Sequence, residues 1–209
     1  MRFRTTTLIL LLCALAYSVL LFFIATYLQI FTKKAAAALT WVVYAQIVKA
    51  LVAYLAAVFV FLIYIKFVFL RRKLLFLATL AVFTAATVFF IIRLGDSVNE
   101  YVHYPQYATL VILWYAAFKG WALHGGSLPR FFQSEVLAGN KPMAAALLVS
   151  LILGTMEEGF QHFLPTRVFD FQDILLNFMG VWLGGLIIWL FESNSGKDSL
   201  QACSAGSMK

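Results

Sequence analysis

An all-α, polytopic membrane helix bundle of about six transmembrane helices is the fold class this sequence predicts, and three observations predict it. Hydrophobic residues make up 63% of the 209 and charged residues only 12%, for a mean hydropathy of +0.91. A soluble domain of this size needs more polar residues to cover its surface. The apolar residues fall into six stretches, each near the roughly 20 residues that a spanning helix requires. The basic residues gather in alternate connections, as the positive-inside rule expects of a multi-pass chain.

The first stretch covers about 8–31, behind Arg2 and Arg4. Its apolar run from Leu8 to Ile30 is longer than the core of a signal peptide, and no small-x-small cleavage site follows. Leu10-Leu11-Leu12-Cys13 lacks the small residue that a lipoprotein signal places before its cysteine. A retained helix is therefore expected. The second stretch, about 41–65, carries Lys49 in a Tyr- and Ala-rich setting, where a lone lysine snorkels or pairs. The third covers about 74–92. The fourth, about 105–123, opens on Pro105, which suits a first helical turn. The fifth and sixth cover about 143–163 and 174–192.

Connections are short except for about 124–142, which holds Gly125, Gly126, Pro129, Gly139 and Pro142. Residues 1–195 read as a single transmembrane domain, and 196–209 as a small, polar, disordered cytoplasmic tail. With the amino terminus cytoplasmic, the inner segments hold Arg2, Arg4, Lys66, Arg71, Arg72, Lys73, Lys119, Arg130, Lys141, Lys197 and Lys209. The outer ones hold Lys33, Lys34, Arg93 and Arg167. Both termini are thus expected inside, in the inner (cytoplasmic) membrane.

The formal charge of +7 is spread singly and in short connections. It therefore points to topology and to contact with anionic lipid, not to nucleic acid. Cys13 and Cys203 are the two cysteines, and neither a disulfide nor a thiolate metal site is expected from them.

Polar residues cluster at one set of helix ends. Arg93, Asp96, Asn99, Glu100 and His103 lead into the fourth stretch, with Glu100 and His103 three apart. Glu157, Glu158, Gln161 and His162 end the fifth, where spacings of three and four place Glu158 with Gln161 and Glu157 with Gln161 on shared faces. Asp170, Asp173 and Asn177 form one stripe entering the sixth, where acids favour a helix start. Gly180, Gly184 and Gly185 then form a small-xxx-small pattern that admits a neighbouring helix. The predicted topology puts all three clusters on the outer side. Ionisable groups at membrane depth cost about 2.5–3.5 kcal/mol each at a helix centre, so pairing or function must offset them.

Gly154-x-x-x-Glu158-x-x-Gln161, followed by Pro165-x-Arg167-x-Phe169-Asp170-x-x-Asp173-x-x-x-Asn177-x-x-Gly180-x-x-x-Gly184, resembles the signature of VanZ-like membrane proteins. The segment from Asp96 to Tyr107, with His103 before a spanning helix, is similar to that family's upstream motif. The resemblance covers about 93–190. It implies a bacterial cell-envelope protein with a role like that family's in glycopeptide (teicoplanin) resistance.

Two interpretations of the cluster stand side by side. In one, Glu158, Arg167, Asp170 and Asp173 are an ion-pair lock on the helix ends, bridged by the planar guanidinium. In the other they line an outward-facing pocket for an amphiphilic or lipid-linked envelope molecule, with Arg167, Asp170, Gln161, Asn177 and Glu100 as binding residues. An enzyme version of the pocket is a hydrolase or transferase acting on an envelope lipid or glycan precursor. There Glu158, His103 and Asp173 are the catalytic candidates, Glu158 or His103 being the acid/base group and Arg167 the anion clamp. No cofactor is expected. A divalent metal on His103, Glu100 and Glu158 is the alternative, though their spacing is not a known metal motif. A transporter would use the cluster as a gate and Lys49 as part of a path, but the sequence shows no inverted repeat.

Overall fold

The computed structural model describes residues 2–67, 73–93, 102–123, 141–163 and 171–206. These form six α-helices: α1 (Arg2–Leu39), α2 (Trp41–Phe67), α3 (Lys73–Arg93), α4 (His103–Leu123), α5 (Lys141–Gln161) and α6 (Phe171–Gly206). The all-α membrane bundle expected from composition is what the chain adopts. Four helices contain spans long and apolar enough to cross a membrane: Thr5–Phe23, Trp41–Ile65, Lys141–Gln161 and Phe171–Glu192. Helix α3 carries a shorter apolar segment, Lys73–Phe89.

Two boundaries differ from expectation. Helix α1 runs through Lys33, Lys34 and the alanines to Leu39, instead of ending near 31. Lysine and alanine are strong helix formers, so nothing there interrupts the hydrogen-bond ladder. The chain then turns at Thr40, whose φ of 64° is left-handed. That conformation costs a β-branched residue about 1–2 kcal/mol. Helix α2 starts at once, with Tyr44 N–H donating to Thr40 O at 3.1 Å. At the other end, α6 continues to Gly206, where a disordered tail was expected from 196. Lys197, Leu200, Gln201 and Ala202 favour the helix, which outweighs the cost of Gly196.

Helix α4 is the centre of the bundle and packs against α1, α5 and α6. Tyr104, Tyr107, Ala108, Leu110, Val111, Trp114 and Ala117 are its buried residues. It is not among the four apolar spans. The position explains this: a helix enclosed by other helices meets protein on most sides, so it can carry His, Gln and Thr without exposing them to lipid.

Helices α4 and α6 run parallel. Gly180 accepts them at contact: a Cβ there would lie 2.7 Å from His103 O and 2.8 Å from Tyr107 Cβ. At Gly184 it would lie 2.9 Å from both Ala108 O and Val111 Cβ. The predicted close approach at these glycines is thus made by α4. Lys119 on α4 meets Glu192 on α6 at 2.5 Å, at the opposite end of the pair.

Helix α1 joins α4 through polar contacts inside the apolar packing. Trp114 Nε1–H donates to Ser18 Oγ at 3.2 Å, and the Tyr17 hydroxyl donates to Gln106 O at 3.1 Å. Helix α3 is fastened to α6 by rings packed edge to face, Phe83 on Trp182 at 5.8 Å and Phe76 on Trp189 at 5.6 Å. The outward faces remain apolar: Val42, Leu51, Tyr54 and Phe61 on α2 and Leu74, Val82 and Phe89 on α3 are exposed. So continuous a surface is stable against lipid, not water. Lys49 is exposed on α2.

Candidate functional site

Three helices bring one polar group into the apolar interior. Helix α5 contributes Glu157, Glu158 and Gln161, each at most 3% exposed, and α6 contributes Asn177, also 3% exposed. Helix α4 contributes Tyr107, which is fully buried, and His103, which is half-buried. Helical spacing explains the first set, because residues three and four apart share a face. Gly154 makes the space. A Cβ on it would lie 2.8 Å from the Tyr107 ring and 3.4 Å from Asn177 Cβ.

Gln161 ties the two acids together. Its Nε2 donates to Glu157 Oε1 at 2.9 Å and to Glu158 Oε1 at 3.1 Å. The Tyr107 hydroxyl donates to the other oxygen of Glu157, Oε2. Asn177 Nδ2 donates to Gly154 O at 3.3 Å and to Glu158 Oε1 at 3.4 Å. That fixes the amide so that Oδ1 faces His103, whose Nδ1 lies 2.6 Å away. Because Oδ1 accepts, Nδ1 carries the proton and donates. The imidazole also stacks on the Tyr107 ring, with centroids 6.3 Å apart and planes within 6°. Glu157, Glu158 and Asp173 have further interactions beyond these.

Of the residues singled out in the sequence, His103, Glu158, Gln161 and Asn177 come together. Asp173 is half-buried in the first turn of α6, one turn before Asn177, at the helix start expected of an acid. Glu100, Arg167 and Asp170 lie outside the described residues, as do Asp96 and Asn99. Asn177 bonds to both His103 and Glu158 and so links them. Among the described residues, no group of three or more His, Cys, Asp or Glu side chains is placed to hold a metal ion.

Two participants were not picked out from sequence. Tyr107 is one of nine tyrosines, and its signal was its place one turn after His103 on the same face. Glu157 was paired with Gln161 by spacing but not assigned to the site. The residues can donate, accept and exchange protons, and can hold a polar group where lipid and water are both excluded.

The chain matches no protein-family model, no curated protein and no solved structure.

Proposed function

We propose that this protein is a cell-envelope membrane protein that binds an amphiphilic or lipid-linked molecule at the polar end of α4, α5 and α6. One observation carries the proposal. Two neighbouring acids, Glu157 and Glu158, are buried inside a lipid-facing bundle and held there by Tyr107, Gln161 and Asn177. Burying two carboxyl groups opposes folding, and apolar residues of similar volume can hold the same helices together without that cost. Retaining them is expected where they serve a ligand.

The resemblance to VanZ-like proteins supports a bacterial, glycopeptide-resistance-like role in the inner membrane. The bias of basic residues supports six spans with both termini cytoplasmic and the polar end outward. In this proposal Glu158, Gln161, Asn177, Asp173, Asp170 and Glu100 surround the ligand's polar group, while Arg167 takes its phosphate.

A second function, hydrolysis or group transfer on an envelope lipid or glycan precursor, is favoured by one relationship. His103 is oriented through Asn177 toward Glu158, as an acid/base group is oriented by a positioned neighbour. A polyprenyl phosphate offered to the purified protein separates the two functions. Saturable binding with unchanged lipid supports the first, and release of inorganic phosphate supports the second. Neither binding nor turnover, with wild-type teicoplanin susceptibility in cells lacking the protein, would refute both.

A further inference from the structure

We infer that the group received beside Glu157, Glu158 and Gln161 is a primary ammonium, carried by an amphiphile such as an aminoethyl phospholipid. The inference rests on the binding function proposed above and specifies its headgroup.

Gln161 is the observation that carries it. The side chain is 1% exposed, and its amide orientation is set by chemistry. Both neighbouring glutamate oxygens take N–H bonds from Nε2, and a carbonyl there would face two acceptors. Oε1 is therefore fixed as an acceptor, and it has no hydrogen-bond partner among the described residues. An unmatched acceptor inside a helix bundle is unfavourable, and a donor is what would satisfy it.

The nature of the donor follows from charge. Two carboxyl groups flank the same amide, and a third, Asp173, stands one turn before Asn177 on α6. A positive donor with several N–H bonds fits that balance. An ammonium offers three, whereas a quaternary amine offers none and a hydroxyl headgroup brings no charge. Gln161 closes α5 and is followed by the turn at His162 and Phe163, both exposed. The acceptor thus stands at the end of the membrane span, where a headgroup lies.

The test uses the full-length protein in a neutral detergent. It is titrated with phosphatidylethanolamine, phosphatidylglycerol and phosphatidylcholine of identical acyl chains, and apparent affinities are read from melting-temperature shifts. Phosphatidylethanolamine is expected to bind about fivefold more tightly than either of the others, the ratio one hydrogen bond carries. Gln161→Met, of similar length but without the amide, is expected to bring the three to within about twofold. The wild-type preference decides the matter even if that variant does not fold. Competition by free ethanolamine would support recognition of the ammonium by itself. Equal affinity for the three lipids, a preference for phosphatidylglycerol, or displacement of phosphatidylethanolamine by Mg2+ would overturn the ammonium inference and leave an amphiphile site standing. No saturable shift with any of the three lipids would overturn the inference, and the same silence with polyprenyl phosphate would overturn the proposed binding function as well.

Discussion

His103 and Asn177 are 74 residues apart in sequence, yet His103 Nδ1 and Asn177 Oδ1 lie 2.6 Å apart across α4 and α6. Asn177 also reaches Gly154 O and Glu158 on α5, so one amide joins three helices. Asn177→Leu leaves His103 and Glu158 each short of a partner. It should destabilise the protein by about 2–3 kcal/mol, seen as an earlier thermal transition in detergent. A double-mutant cycle with His103→Ala should show coupling of about 1 kcal/mol, and strict additivity would contradict the contact.

The glycines of α6 and α5 make a graded series. Gly180→Ala puts a methyl group against His103 O and the Tyr107 side chain, and should destabilise by about 1–3 kcal/mol. Gly159→Ala meets nothing within 4 Å, and should be neutral or stabilising by up to about 1 kcal/mol through helix propensity. Melting temperatures of the two variants, measured side by side, check the α4–α6 register.

Tyr107→Phe keeps the ring beside His103 and removes only the hydroxyl that serves Glu157. A loss of about 1–3 kcal/mol is expected from the carboxyl oxygen left short of a donor. Unchanged stability in the same melting assay would show that the hydroxyl has no structural weight.

Much of the bundle was legible because lipid imposes simple rules on length and apolarity. The six helices lie close to their predicted places, and Gly180 and Gly184 marked a close contact before its partner was known. Glu158, Gln161 and Asn177 were legible as a polar cluster because acids and amides on one face of an apolar helix need partners. The central position of α4 was not, since its sequence does not record which helices surround it. Tyr107 escaped notice for the same reason: its hydroxyl becomes part of the site only where α5 brings Glu157 to it. The corner at Thr40 was hidden by a run of good helix formers that gives no early stop.

Lys119 and Glu192 close the other end of the α4–α6 pair, with side chains 40% and 27% exposed. Exposure screens the pair, so Lys119→Met should cost about 1 kcal/mol or less. The difference from the parent should shrink further in high salt. A larger, salt-independent loss in thermal melts would show instead that the ammonium is held over the Tyr115 ring, whose centre is 5.6 Å from Nζ.

Sidedness is checked by cysteine labelling. In a background with Cys13→Ser and Cys203→Ser, Asp96→Cys and Arg130→Cys should react with an impermeant reagent from opposite sides. Labelling of both from one side would contradict six spans with both termini inside.

Whether the buried acids serve a ligand or only lock the helices is tested most directly by Glu158→Gln, comparing its melting temperature and its phosphatidylethanolamine binding with those of the parent. The new amide has the same shape and can still accept from Gln161 and Asn177, so the melting temperature should change little. Binding should fall by about tenfold or more, as expected when a charged partner is lost. If the variant melts far earlier, and binding falls only in proportion to the folded fraction, the acids are a structural lock and the proposed binding function is wrong.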